Sequence, residues 1–465
     1  MSLLEPLIMS GKEVMPLVEG GKGISATNGM SAGAWAAAGG VGTVSCVNAD
    51  SFDDKGNVIP QIYHGKTRIE RHQELIDYAI DGGVTQVEQA HDMANGNGRI
   101  HINVLWEMGG AEAILEGVLT KAKGLIHGVT CGAGMPYKLS EIAAKHEVFY
   151  HPIISSARAF GILWKRAYKK YGNWLGSVVY EDPWLAGGHN GLTNAEDPRE
   201  PQDPYPRVAA LRVMMNKFGL HKVPIIMAGG VWYLRDWANW INNPEIGPVA
   251  FQYGTRPLLT RESPIPQIWK DALTKLKEGD ILLHRFSPTG FYASAVRNRF
   301  LRSLESRSER QVSFSAKQTE EFSAEIQARK RKYFVHSEDK PKADSWIMDG
   351  YCEGMKTPDG TLVFVTPDDA LEIRQDQKDC MGCLSQCKFS NWSQLPEKKY
   401  STGRGADPRS FCIQKTLMDI AHGGALENNL MFAGHSAFNF ASDPFFSNGF
   451  VPTVKQLFDR ILTGD

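Results

Sequence analysis

The sequence is poor in cysteine, with seven in 465 residues. That odd, sparse set excludes the disulfide framework of a small secreted fold. No apolar run approaches the length needed to cross a bilayer. The start, MSLLEPLIMSGKEVMPLVEGGKG, lacks a basic segment followed by an apolar stretch, so no signal peptide is expected. Neither sign of charge is in excess: the formal net charge is −1, which argues against duplex DNA or an acidic membrane as a bulk electrostatic partner. A G-x-G-x-x-G dinucleotide fingerprint and a Walker loop are also missing from the strand–turn–helix context they require. A reduced, cytoplasmic setting without a membrane partner is the expectation.

What is present is a rhythm. Short apolar segments recur at 23–27, 41–47, 100–106, 124–130, 148–154, 176–180, 223–230 and 249–255. Several are near-continuous and β-branched, as strands covered on both faces are. Helical stretches such as AEAILEGVLTKAK (111–123) and PYPRVAALRVMMNKFG (204–219) lie between most of them. Alternation of this kind implies parallel strands with helical crossovers. Eight strands within about 255 residues suit a (β/α)8 TIM barrel, with an open doubly wound sheet as the competitor. The division expected is a barrel over 1–305, a mainly helical, Cys-containing insert over 306–427, and a closing segment over 428–465 that packs back on the barrel. Residues 48–99 interrupt the rhythm: NADSFDDKGNVIP reads as an exposed loop and TRIERHQELIDYAIDGG as an amphipathic helix, in a long connection covering one barrel end. Between Arg297 and Lys332, Lys and Arg outnumber Glu. That stretch reads as a solvated helix face rather than a nucleic-acid contact.

In a barrel of this type the reacting groups sit on loops at the C-terminal ends of the strands. AGGV follows the seventh segment and YGTR the eighth, so Gly229, Gly230, Gly254 and Thr255 can expose backbone N–H groups to a phosphate. A flavin mononucleotide or a sugar phosphate fits that arrangement better than a Rossmann-bound nicotinamide. LAGGHNG (185–191) follows the sixth segment and would project His189 over the same mouth. Its imidazole can accept a proton near neutral pH, or it can simply be a loop histidine bonded to backbone.

Taken together, ISATNGM, AAAGGVGTVS, INVLW, LAGGHNG, PIIMAGGV and GTRPLLTRES resemble the nitronate monooxygenase (2-nitropropane dioxygenase) family of FMN-dependent barrels. The match runs from about residue 20 to VRNRFLRSL, ending near 304, and resumes over 428–462. The resemblance implies FMN as cofactor and His189, in the loop with Gly187 and Gly188, as base or proton-transfer group. It places Asn103 on the isoalloxazine and Gly229, Gly230, Gly254 and Thr255 on the flavin phosphate. ATNGM stands where the family carries an A-P-M turn, with Asn28 and Met30 as further flavin contacts. The implied reaction is oxidation of alkyl nitronates or nitroalkanes with O2. The same scaffold also resembles flavin-dependent enoyl-thioester reductases fed by NAD(P)H. Flavin-dependent RNA modification and a non-catalytic flavin-binding scaffold complete the set of readings. Trp184, Trp232 and Tyr233 suit either a pocket wall or core packing.

CMGCLSQCKFSNW departs from the family pattern. Cys380, Cys383 and Cys387 form a C-x2-C-x3-C run, with Cys412 available as a fourth thiolate. Such spacing suits a [4Fe-4S] cluster, a zinc ion, or redox-sensing thiols. A cluster would bring an electron-carrier protein in as partner. Cys46, Cys131 and Cys352 read as ordinary buried residues.

Overall fold

The computed structural model describes residues 4–395 and 400–465. The β-branched apolar runs form eight parallel strands: β1 (Leu17–Glu19), β2 (Val41–Ser45), β3 (Arg99–Leu105), β4 (Gly128–Gly132), β5 (Phe149–Ile154), β6 (Val178–Glu181), β7 (Ile225–Ala228) and β8 (Val249–Tyr253). They pair in chain order, and β8 returns to β1 through Phe251 opposite Leu17 and Tyr253 opposite Glu19, which closes the barrel. The open-sheet alternative is thereby excluded. The crossovers are α1 (Gly29–Ala37), α2 (Arg68–Ala94), α3 (Ala111–Lys121), α4 (Leu139–Lys145), α5 (Ala157–Arg166) and α6 (Pro204–Lys217). After β7 a 3-10 segment, Leu234–Trp240, replaces the helix, and α7 (Gln267–Leu273) follows β8.

Two expectations are corrected and one is met. The first strand is β1, not residues 23–27. Those residues form a turn in which the Ala26 and Thr27 N–H groups donate to the Lys22 carbonyl, both at 3.1 Å. Residues 48–99 carry the helix expected in them. Their second half is α2, a 27-residue crossover begun by a Thr67/Glu70 capping box and packed against α1 and α3. Lastly, the 306–427 segment is mixed rather than mainly helical. It carries α8 (Arg299–Glu309, which begins just before it), α9 (Lys340–Met348), α10 (Pro367–Lys378) and α11 (Ile413–Ala421), but also five strands between Gln311 and Val365. The basic stretch is helical only in α8. Beyond it, Ala324–Ala328 and Arg331–Val335 form a hairpin that buries Ile326, Ala328, Tyr333 and Val335 at alternate positions. A period of two, not 3.6, decides such an element.

The N-terminal hairpin, Leu7–Met9 with Lys12–Val14, covers the N-terminal barrel end. There the Ser10 hydroxyl bonds His101 Nε2 at 2.8 Å and His151 Nε2 at 3.0 Å, in full burial. Those histidines lie at the end of the barrel where contacts serve stability rather than chemistry. At the other end of the sequence, Val454, Leu457, Phe458 and Ile461 of the helix Val454–Leu462 join the barrel's own hydrophobic cluster. No helix among the described residues is long and apolar enough to cross a membrane.

Candidate active site

The C-terminal strand ends open into a cavity of about 790 Å3, within the roughly 300–1,000 Å3 of small-molecule and cofactor sites. His189, Asn103, Gly187, Gly188, Gly254 and Thr255 all line it. Residues 188 and 189 form a short strand antiparallel to Ala293–Val296, with Ala293 opposite His189, so the imidazole is held by sheet pairing rather than by a loose loop. Its Nε2 lies 2.6 Å from the Ser287 hydroxyl, and Phe432 meets the ring edge-on at 5.5 Å. Burial pulls the His189 pKa down to about 4, so the ring is neutral at physiological pH and open to a proton.

The two glycines before it have different tasks. A Cβ on Gly187 would stand 2.6 Å from the Gly434 nitrogen, so the residue is small to let the segment around Gly434 pass. Gly188 has φ +70°, which only glycine adopts at little cost. That same Gly434 N–H donates to Thr255 Oγ1 at 2.9 Å. The Asn103 side chain reaches the Thr130 carbonyl at 3.4 Å. Above Gly254 there is open space where a side chain would otherwise stand.

Other predicted residues lie elsewhere. Asn28 caps α1, its Oδ1 accepting the Ser31 N–H at 3.0 Å, and Met30 sits in the first turn of that helix. Neither lines the cavity. Gly229 and Gly230 turn at φ +89° and +77° against Ala186 and Leu185, behind the cavity wall. Gly230 borders a separate groove with Tyr205 and Trp240. Trp184 and Trp232 are buried packing residues stacked with Arg207 and Arg256, and Tyr233 lies under Arg235.

Several cavity residues escaped the motif reading. Gly21, Lys22 and Gly23 line it because the chain leaves β1 at Glu19. The Lys22 ammonium is held by Glu19 Oε1 at 3.1 Å and by the Gly20 carbonyl at 2.8 Å. Arg285 and Lys388 contribute cations from the C-terminal half. Glu181 ends β6 and faces the cavity. Burial, helped by the neighbouring Asp182, pushes its pKa up to about 8. A charged residue at the last position of a barrel strand was the available signal.

The sign of that shift gives a test. Below about pH 4.5 Glu181 is protonated in folded and unfolded chains alike. Between there and about pH 8 only the unfolded chain ionises, so rising pH favours unfolding. In flavin-free protein, Glu181→Gln is therefore expected to gain melting temperature relative to the parent as pH rises from 4.5 to 8. A difference that stays constant across that range would remove the shift.

All seven cysteines are free. Cys46 and Cys131 are buried in the barrel core and Cys352 is half-buried apart from them. Cys380, Cys383, Cys387 and Cys412 belong to a second hydrophobic cluster with Phe389, Trp392 and Ile413, and Cys383 also lines the cavity. Among the described residues, no group of three or more His, Cys, Asp or Glu is arranged to hold a metal ion. Neither the expected iron–sulfur site nor its zinc alternative stands ready-formed there.

With this geometry in hand, comparison with known proteins places the chain. The family described as nitronate monooxygenase matches residues 85–361, more than half of the sequence. The chain belongs to the nitronate monooxygenase family. It is a TIM-barrel flavoprotein oxidoreductase. Among solved structures, the enoyl reductase domain of MlnA from the macrolactin biosynthesis cluster of Bacillus amyloliquefaciens aligns with 97% of this chain and 93% of its own, at 12% identity and a TM-score of 0.50. FabK from Thermotoga maritima aligns over 97% and 92%, at 15% identity and TM-score 0.48. Nitroalkane oxidase from Streptomyces ansochromogenes aligns over 62% and 78%, at 18% identity and TM-score 0.44. At these identities the likeness concerns the fold alone. No curated protein sequence matches the chain.

Proposed function

We propose that this nitronate monooxygenase family member binds FMN in the 790 Å3 cavity and oxidises alkyl nitronates or nitroalkanes with O2. The observation that carries the reading is a neutral imidazole, His189, fixed by sheet pairing over a cavity at the catalytic end of the barrel. The cavity fits a flavin: open space lies above Gly254, and the buried Asn190 amide nitrogen at its wall lacks a partner among the described residues. Gly254 and Thr255 would hold the phosphate, Asn103 and the Gly187–Gly188 turn the ring system, and Gly229–Gly230 would back the loop from behind. Bound FMN supplies two-electron redox chemistry at N5. The chain supplies the rest. Ser287 accepts from His189 Nε2–H and so fixes the tautomer, which leaves Nδ1 to take the α-proton of a neutral nitroalkane, and Phe432 with Leu258 keeps bulk water from the reacting carbon. The small-molecule substrate and the free cysteines suit a cytoplasmic enzyme.

One observation favours a second reading. Arg285 and Lys388 both face the cavity and neither is in an ion pair among the described residues. Two cations at a cavity wall suit the phosphates of NAD(P)H or of a carrier-bound thioester, as in an enoyl-thioester reductase. Electrons for that reaction could equally come from a carrier protein. An anaerobic absorption titration separates the two. Bleaching of the flavin bands by an alkyl nitronate, with none by NAD(P)H, is the expected result. Bleaching by NAD(P)H alone would overturn the nitronate reading, and absence of flavin bands would overturn both.

A further inference from the structure

The insert's cysteines do not scatter when the chain folds. Cys380, Cys383, Cys387 and Cys412 pack together in one hydrophobic cluster, and Cys383 and Cys412 both lie within electrostatic reach of Cys380 and Cys387. One of these sulfurs also has two donors aimed at it. Cys380 Sγ accepts from the Gly382 N–H at 3.4 Å and the Ser390 hydroxyl at 3.0 Å. A neutral thiol is a weak acceptor that needs no such company. Donors of this kind are what metal-bound thiolates require, because they offset the accumulated negative charge.

The scaffold around the thiols is equally specific. Arg71 of α2 donates to the Cys380 carbonyl at 3.2 Å and 3.1 Å, and the Gly109 N–H, just past β3, donates to the Cys383 carbonyl at 2.9 Å. Cys412 is the N-cap of α11, where the helix dipole favours a thiolate. A single tetrahedral zinc would draw its sulfurs to about 3.8 Å from one another, given Zn–S bonds of about 2.3 Å. A cubane core spreads its four ligands more widely.

We propose that Cys380, Cys383, Cys387 and Cys412 ligate a [4Fe-4S] cluster at the rim of the barrel cavity. Each thiol gives up its proton as its sulfur bonds one iron, and the positively charged core offsets the four thiolates. Cys383 belongs both to this set and to the cavity wall, so the cluster borders the flavin site. Its assembly does not depend on the flavin reading.

The test is iron, acid-labile sulfide, zinc and FMN measured on one anaerobic preparation, before and after reconstitution with ferrous iron and sulfide. About four iron and four sulfide per chain, with an electron paramagnetic resonance signal after dithionite, are expected. Fewer than about one iron per chain after reconstitution, or zinc without sulfide, would overturn the proposal. In Cys383→Ala and Cys412→Ala, iron is expected to fall at least about fourfold while circular dichroism stays unchanged. Cys352→Ser should keep the full complement, and equal loss there would also overturn the assignment. FMN is counted separately, so a flavin-free protein with iron and sulfide sinks only the flavin reading, and the reverse pattern sinks only this one.

Discussion

His189→Ala is expected to keep bound flavin yet lose about 10²–10⁴ in turnover of a neutral nitroalkane, or roughly 3–5 kcal/mol of barrier. On the proposed reading the flavin is retained because its contacts come from other positions, namely Asn103, Gly254 and Thr255. The loss falls on proton removal, since the imidazole is held neutral by burial at a pKa of about 4. Such a ring is a weak base, so the lower part of the range applies unless the bound substrate raises its affinity for the proton. A preformed nitronate has already lost its α-proton and is expected to be turned over nearly as well by the variant as by the parent. Steady-state rates with the two substrate forms make the comparison. Equal losses with both would remove His189 from proton transfer and leave it a positioning residue.

Asp443→Ala is the second large effect, and it acts on stability. Asp443 and Arg256 are fully buried with 3.5 Å between Oδ2 and the guanidinium. The Trp232 indole also donates to that oxygen at 3.3 Å. Arg256 further reaches the Trp232 carbonyl at 2.8 Å and the Asp465 carbonyl at 2.9 Å. Removing the carboxylate leaves a buried guanidinium without its counter-charge, which costs about 3–5 kcal/mol. Urea denaturation at constant m-value reads the loss directly. A change below about 1 kcal/mol would mean that the carbonyls alone satisfy Arg256. The arginine belongs to GTRPLLTRES, so part of that motif serves to pin the end of the chain rather than to touch a ligand.

Seven of the eight barrel strands were legible because each is an apolar, β-branched run bounded by Gly, Ser, Asn or Thr. β1 was not, because it has three residues and ends on Glu19, a charge the fold satisfies with Lys22 three positions later. The hairpin at Ala324–Val335 was hidden by its Lys, Arg, Glu and Gln content, which suits a helix as well as an exposed strand face. At the site, a glycine pair before a histidine marks His189 locally. Its partner Ser287 is 98 positions away, and Arg285, Lys388 and Phe432 arrive at the cavity from equally distant segments. Such neighbours are set by topology and leave no trace in local spacing. Glu181 was readable in principle, since a carboxylate closing an apolar strand is costly unless the mouth of the barrel can use it.

If the proposed flavin contacts hold, the crossing of Gly434 over Gly187 and Thr255 ties ligand capture to the folding of a distant part of the chain. A molecule held only when that segment is seated binds the closed form and not the open one. It therefore lowers the population of locally opened chains by the factor 1 + [L]/Kd, about 2.7 kcal/mol at a hundredfold excess over Kd. Cofactor supply in the cell would then set how long the polypeptide survives proteolysis as well as how much of it is active.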